Sequence, residues 1–247
     1  MTPEQAEAAT KEQMGKVGAG YMLDGPTREL GKANGYRTME FYFAGRGGVL
    51  GECDADVVKS AFGWFSADMC RTFWEAGCAV AGPKNAAELY NQAMANWGST
   101  KLAGVEGTER FVELAERMVA NVGVDGLPLF AGWRAMPRAT DDSAAHAYQL
   151  VALLRELRGS CHIVAATAQG LGDVETMMAN PGQGAARAEV FGHKEPYPDG
   201  AEFRAQFNAA EAATDRMMIN AWEPLDEGER AEMVGLTQRL YDAVVAE

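Results

Sequence analysis

The feature that most limits how this chain can fold is one long amphipathic stretch, residues 143–169. Asp142-Ser143 offers side-chain oxygens to the free N–H groups that open a helix. Behind that cap Tyr148, Val151, Leu154, Leu157, Cys161, Val164 and Ala168 recur every three or four residues. At 3.6 residues per turn these positions share one side, so the spacing predicts a helix of roughly seven turns with a single apolar seam. A helix of that length and pattern acts as the central packing element of a bundle. The rest of the chain must then supply helices that cover it.

It reads that way. Thr2-Pro3-Glu4-Gln5 sets a capping residue before proline at the first helical position, with an acid in the first turn. Asp24-Gly25-Pro26 opens a second helix and Asn34-Gly35 closes it. Residues 36–45 are aromatic and apolar, a buried segment whose periodicity fits helix or strand. Asp54 and Ser66 cap two more helices, and Gly82-Pro83 ends one and starts the next, which carries Leu89, Tyr90, Ala93, Met94 and Trp97 along one stripe. Residues 105–122 repeat the stripe with Phe111, Leu114, Ala115, Met118 and Val122, and 123–142 form the longest irregular connection. From Met178 to Gly200 proline and glycine dominate, with a few residues between the loops that could form a short ribbon. Two helices follow, about 199–220 and 226–246. The expected fold is all-α: a multi-helix bundle with an N-terminal helical domain, 1–142, and a second part, 143–247, that could equally continue the same domain.

Charge narrows the partners. Against 22 Lys+Arg stand 35 Asp+Glu, a net charge of −13. Non-specific affinity for nucleic acid comes from cationic contacts that release counterions, so an acidic chain needs a local basic patch, and none is visible. The four cysteines, Cys53, Cys70, Cys78 and Cys161, form no CxxC pair and have no histidine at finger spacing, which fits reduced core thiols. The N-terminus lacks an apolar targeting region and no apolar run approaches the ~18–20 residues that cross a bilayer. These readings predict a cytoplasmic protein without a membrane partner.

Several residues carry possible chemistry. The run Ala44-Gly45-Arg46-Gly47-Gly48-Val49-Leu50-Gly51 invites a phosphate loop but lacks the Lys-Ser/Thr of a Walker motif; its glycines suit a tight turn or close helix approach better. Arg46, just after Phe41-Tyr42-Phe43, must reach solvent or find an anion. On the long helix Arg155, Arg158 and His162 share a face beside the seam, and a histidine one turn from an arginine tends to stay neutral, fit to act as base, donor or ligand. A solvated basic face with one structural histidine is the plainer reading of the same residues. Gly159 inside a helix costs about 1 kcal/mol against alanine, which asks for a packing or functional reason, such as a closely crossing helix. The histidines offer no metal site: His146 and His162 lie roughly 24 Å apart along one helix at 1.5 Å per residue, and His193 is remote in sequence. No HExxH, Glu-x-x-His or GxSxG motif occurs. No cofactor is indicated, and Met217-Met218 with Trp222 reads as core or dimer interface.

Taken together, Tyr42-Phe43-Ala44-Gly45-Arg46 through Leu50-Gly51, Ala61-Phe62 to Phe65-Ser66-Ala67, Leu153-Leu154-Arg155-Glu156 with Arg158-Gly159 and His162, and Glu211-Ala212-Ala213-Thr214-Asp215-Arg216 resemble a family of actinobacterial helix-turn-helix proteins, the EvbL or SalK-like group. The similarity is patchy but collinear over most of the chain. It implies a helical N-terminal domain and a degenerate winged-helix-like C-terminal part. The last two helices are similar to the dimerisation pair of MarR-type regulators, which implies a homodimer through them. The chain departs from the family in two places. The histidine usual before the first loop is replaced by Gly18-Ala19-Gly20-Tyr21. The stretch 180–203, where a recognition helix and wing belong, sets only Arg187 and Lys194, with Arg204 just beyond, against Glu189, Glu195, Asp199 and Glu202, too little for a groove-reading helix.

The reading that follows is a small-molecule-binding helical protein, with an enzyme of secondary or specialised metabolism as one form of it. Its pocket is expected between the central helix and the 36–65 region. His162 and Arg158 are the candidate catalytic residues, and Tyr42, Arg46 and Trp64 the candidate ligand-binding ones: arginine for an anionic or carbonyl group, histidine for proton exchange, aromatics for an apolar body. The alternatives are a ligand-responsive regulator that binds DNA, disfavoured by the charge, and a structural protein that dimerises.

Overall fold

A computed structural model describes residues 1–245. Among these residues the chain forms thirteen α-helices and no strand. In order they are α1 (Pro3–Ala19), α2 (Gly25–Ala33), α3 (Thr38–Gly47), α4 (Ala55–Phe62), α5 (Ala67–Ala81), α6 (Pro83–Lys101), α7 (Thr108–Asn121), α8 (Pro128–Ala135), α9 (Ser143–Ala168), α10 (Asp173–Ala179), α11 (Ala185–Val190), α12 (Arg204–Trp222) and α13 (Glu227–Val245), with 3-10 turns at Gly48–Leu50 and Gly200–Phe203. The final position of the helix expected over 226–246, Ala246, lies outside the described residues.

The caps act as the sequence suggests. The Thr2 hydroxyl accepts from the Gln5 amide at 3.3 Å while the Gln5 side chain accepts from the Thr2 amide at 2.9 Å, a reciprocal capping box. Asp142 accepts from the amides of Ala144 and Ala145 at 3.0 and 3.1 Å, which starts α9 where its seam begins.

α9 is the hub. α1, α6, α7, α8 and α12 all pack on it, and from Ala147 to Leu154 every side chain is buried. Tyr148 pins the helix to the end of α1: its hydroxyl donates to the Val17 carbonyl at 2.9 Å and accepts from the Tyr21 amide at 3.0 Å. The expected seam holds through Cys161 and then stops, since Val164 is 39% exposed and Ala168 is exposed too. Past that point the helix contributes Ala165 and Ala166 to a small second cluster with Leu171, Ala179, Phe207 and Ala210. The main core runs without a break from Ala6 to Leu240, across residue 142.

Residues 36–45, open to either assignment, lie mostly in α3, buried from Glu40 to Gly47. An aromatic segment needs a sheet to become a strand, and here helices surround it. The glycine run gives close approach: a Cβ on Gly45 would stand 2.7 Å from the Tyr90 ring, and one on Gly48 only 2.0 Å from the Pro83 carbonyl oxygen. α3 and its 3-10 turn therefore lie directly on α6. The ribbon expected between the proline-rich loops is instead the short helix α11, so no wing forms among the described residues.

The terminal pair packs inward. α12 lies on α9 and α1, and α13 on α1 and α7. Met218 and Trp222, and the α13 stripe of Met233, Leu236 and Leu240, are buried within the chain itself. The inner stripes that a dimer of the expected kind would share are already covered. Among the described residues no helix is long and apolar enough to cross a membrane.

Candidate functional site

The face of α9 that carries Arg155, Arg158, Gly159 and His162 is only partly covered by α1 and α12. It floors a cleft of about 600 Å³, walled by Glu7, Lys11 and Met14 of α1, by Glu211 and Met218 of α12, and by Asn180 and Gln183 after α10. A smaller cavity of about 180 Å³ adjoins it, with His162, Asn180, Gln183 and Glu211 common to both and Trp64 on its far side. A Cβ on Gly159 would meet nothing within 4 Å, so the glycine accommodates no crossing helix; it lies on the cleft floor.

His162 sits at the junction. Its Nδ1 lies 3.1 Å from the Thr214 hydroxyl and 3.4 Å from a Glu211 oxygen. Thr214 gives its own proton to the Ala210 carbonyl at 2.8 Å, so toward the ring it can only accept, and the ring proton belongs on Nδ1. Burial pushes the imidazole pKa below its ordinary value, Glu211 and Asp215 pull against that, and Arg158 adds to it. The outcome is a neutral ring with a fixed Nδ1–H and an Nε2 lone pair to which none of the described residues donates. Trp64 packs against it with ring centroids 5.3 Å apart. Trp64 itself has φ +30°, next to Gly63 at +59°. A non-glycine residue in this region is strained by about 1–3 kcal/mol and tends to occur where a side chain must be held in an unusual direction.

Arg158 is engaged through one edge of its guanidinium. One terminal nitrogen bonds both Glu211 at 3.1 Å and Asp215 at 2.9 Å, and its Nε is 3.6 Å from Glu7. This arginine ties α9 to α12 and α1 while it lines the cleft. Glu7 is 2% exposed, with one carboxylate oxygen accepting from the Trp222 indole at 3.0 Å and the other without a hydrogen bond. Burial raises its pKa, opposed by the Trp222 bond and Arg158.

Tyr42 and Arg46 line neither cavity; the cleft faces α1 and α12, and the 36–65 region contributes Trp64 to the adjoining cavity. Arg46 is 6% exposed. Its Nε and one terminal nitrogen bond the two oxygens of Glu156 at 3.0 and 2.8 Å, the other bonds the Tyr42 hydroxyl at 3.0 Å, and its guanidinium lies 4.3 Å from the Phe62 ring centroid. The anion that Arg46 had to find is inside the protein. Burial disfavours both charges, yet Arg46 with Arg155 holds the Glu156 carboxyl down at about 2. This is a core ion pair, and neither member lines the cleft. His162, Arg158 and Trp64 are brought together; Tyr42 and Arg46 are not among them.

The other histidines are occupied separately: His146 lies 2.8 Å from Glu116, and His193 donates from Nε2 to the Trp64 carbonyl at 2.7 Å. Among the described residues no three His, Cys, Asp or Glu side chains are grouped to hold a metal ion. Four site residues escaped the sequence reading, and each left a trace. Glu211, Thr214 and Asp215 fall at i, i+3 and i+4, an acidic face that complements Arg158 and His162. Glu7 lies beside Ala6, Thr10 and Met14, on the side of α1 that turns inward.

Residues 8–200 match the model of a helix-turn-helix family. The matched span covers more than half of the chain, from α1 to the 3-10 turn at Gly200–Phe203, and includes Trp64, Arg158 and His162, while Glu7 and the α12 residues lie outside it. No curated protein and no solved structure matches the chain.

Proposed function

The chain belongs to this helix-turn-helix family, and from that premise we propose that it is a small-molecule-binding member whose ligand occupies the cleft between α1, α9 and α12. The observation that carries the reading is His162, a neutral imidazole fixed by Thr214 at Nδ1 with Nε2 left to accept. A pocket of several hundred Å³ with apolar walls and a few convergent polar groups is the usual form of a ligand site. The ligand has a hydroxyl or N–H that donates to Nε2, and a flat or apolar part that rests against Trp64 and Met218. A base poised at this pH range also takes a proton from a bound molecule, which is the step an enzyme built on this cleft would use. Arg158 is a positioning residue, since it orients Glu7, Glu211 and Asp215 around the ring.

Native mass spectrometry of the freshly purified full chain tests this. A co-purifying small molecule that is lost in His162→Gln, with unfolding unchanged, supports the reading. If His162→Gln retains whatever co-purifies, or the wild type takes up nothing from a metabolite library, the cleft is not the binding site.

Family membership itself favours a second reading, a ligand-responsive regulator that contacts DNA. The helix pair α10 and α11 is the place for it, but α11 has six residues, its exposed Arg187 lies over the Phe191 ring at 4.2 Å, and the chain carries a net charge of −13. A groove-reading helix needs base contacts from its N-terminal turn and several phosphate contacts beside it. A mobility shift at low salt on DNA from its own upstream region decides between them: retardation at sub-micromolar protein would establish the regulator, and none at micromolar protein would remove it.

A further inference from the structure

α9 has a second open face. Ser160 and Val164 lie about a third to half a turn around the helix from the Arg158 and His162 side, and there a separate cavity of about 410 Å³ opens between α9, the end of α4 and the start of α8. No charged side chain lines it. Its walls are chiefly Ala61, Pro128, Ile163 and Val164, with three hydroxyls from Ser60, Ser160 and Thr167. Two of those hydroxyls have their protons committed to helix carbonyls, Ser60 to Val57 at 2.7 Å and Thr167 to Ile163 at 2.9 Å. Ser160 is different. It is 6% exposed, and its Oγ is buried with no hydrogen-bond partner.

A buried hydroxyl without a partner is unfavourable and rare in native proteins, and this one borders a cavity large enough for a ligand. Around it are two of the few exposed large aliphatic side chains of the protein, Val57 at 46% and Val164 at 39%. Val57 is one turn from Ser60 and Ala61 on α4, so both valines flank the cavity walls. We propose that this cavity is a second binding site, distinct from the His162 cleft, for a small neutral molecule with an apolar body and a single hydroxyl or carbonyl oxygen that pairs with Ser160. The lack of any charged wall residue argues against an ionic ligand, because a buried ion without a counter-charge is strongly disfavoured. The single orphaned hydroxyl among apolar walls sets the number of polar groups at one.

Two probes with the same carbon skeleton test this on the full chain: 1-indanol, with one hydroxyl, and indane, with none. Backbone amide NMR titration is expected to show 1-indanol shifting Ser60, Ser160 and Thr167 but not Arg158 or His162, with a Kd about tenfold lower than that of indane, the difference one buried hydrogen bond makes. Ser160→Ala should fold normally and bring the two affinities together. Val164→Trp and Ala168→Phe, both at exposed positions, should fill the cavity and abolish binding of both probes, while His162→Gln leaves it intact. The proposal is overturned if neither probe shifts these amides at millimolar concentration, if the shifts cluster at His162, or if Ser160→Ala keeps the tenfold preference for 1-indanol.

Discussion

Thr214 holds the His162 imidazole in one tautomer: the ring nitrogen Nδ1 lies 3.1 Å from a hydroxyl whose own proton is given to the Ala210 carbonyl. The threonine is completely buried, so solvent does not compete for either bond. Thr214→Val keeps the shape and removes the acceptor. It is expected to cost about 1–2 kcal/mol of stability for the unpaired Nδ1–H. In ¹⁵N NMR at pH 7.5 the ring signals should move from an Nδ1–H pattern toward a mixture of tautomers. An unchanged ring spectrum would show that Thr214 does not set the tautomer.

The Arg46–Glu156 pair is expected to be costly to break on one side only. Glu156→Gln leaves a guanidinium in the core without its full counter-charge, and a loss of about 3–5 kcal/mol in urea unfolding is expected. Replacing both with methionine should recover much of that, because the desolvation of two ions is removed along with their attraction. In the wild type the stabilisation from Glu156 is present above the ordinary carboxyl value of 4.5 and is lost as the pH falls from there toward about 2.

His162 and Glu7 should give pH dependences of opposite sign. The folded imidazole titrates below its ordinary 6.5 because burial outweighs Glu211 and Asp215. Its contribution is therefore present above 6.5 and lost as the pH falls through the folded value. Glu7 titrates above 4.5 because burial outweighs the Trp222 bond and Arg158, so its contribution is present below 4.5 and lost as the pH rises through the folded value. Between pH 7.5 and 5.5 the Tm of His162→Gln should fall less than that of the wild type. Glu7→Gln should gain on the wild type at pH 7.5 relative to pH 4. Parallel Tm curves for each variant and the wild type would contradict this.

Gly159→Ala should stabilise the protein by about 1 kcal/mol, the helix propensity difference, since the added Cβ meets nothing within 4 Å. Gly159→Leu should fold as well and obstruct the cleft floor, abolishing ligand uptake. A thermal melt with native mass spectrometry on both variants separates the two effects.

The periodicity of apolar residues was enough to read the long helices, because a bundle imposes 3.6-residue spacing on elements that face its core; it missed the short α8, Pro128–Ala135, inside the stretch 123–142 expected to be irregular, and α10 and α11 after it. α9 and its cap at Asp142 lie within a residue of where the spacing puts them. The site was only half legible. His162 and Arg158 share a face by spacing alone, and Trp64 joins them through a turn at Gly63 that no pattern announces. Arg46 misled because a local sequence shows a charge but not its partner: Glu156 is 110 residues away. The warning was there, since Glu156 sits among Leu153, Leu154 and Leu157 in a helix buried nearly all round, where a carboxylate must have a cation. The glycines of Gly18–Tyr21 mark close packing that is seen only in three dimensions. A Cβ on Gly18 would stand 2.8 Å from the Cβ of Arg155, and one on Gly20 would stand 2.8 Å from the Trp97 ring.

The position of α1 has a consequence for how the protein is made. Its main partners are α9, α12 and α13, all of which leave the ribosome long after it does. Made before all three, α1 therefore waits, its Ala6, Met14 and Val17 uncovered, until residues beyond 143 arrive. Contacts of such long sequence separation form late and slow folding. Because α1 is also the wall that brings Glu7 and Lys11 to the cleft, a nascent or C-terminally truncated chain has no closed pocket, and the ligand uptake we propose appears only once the chain is long enough to embrace its own beginning.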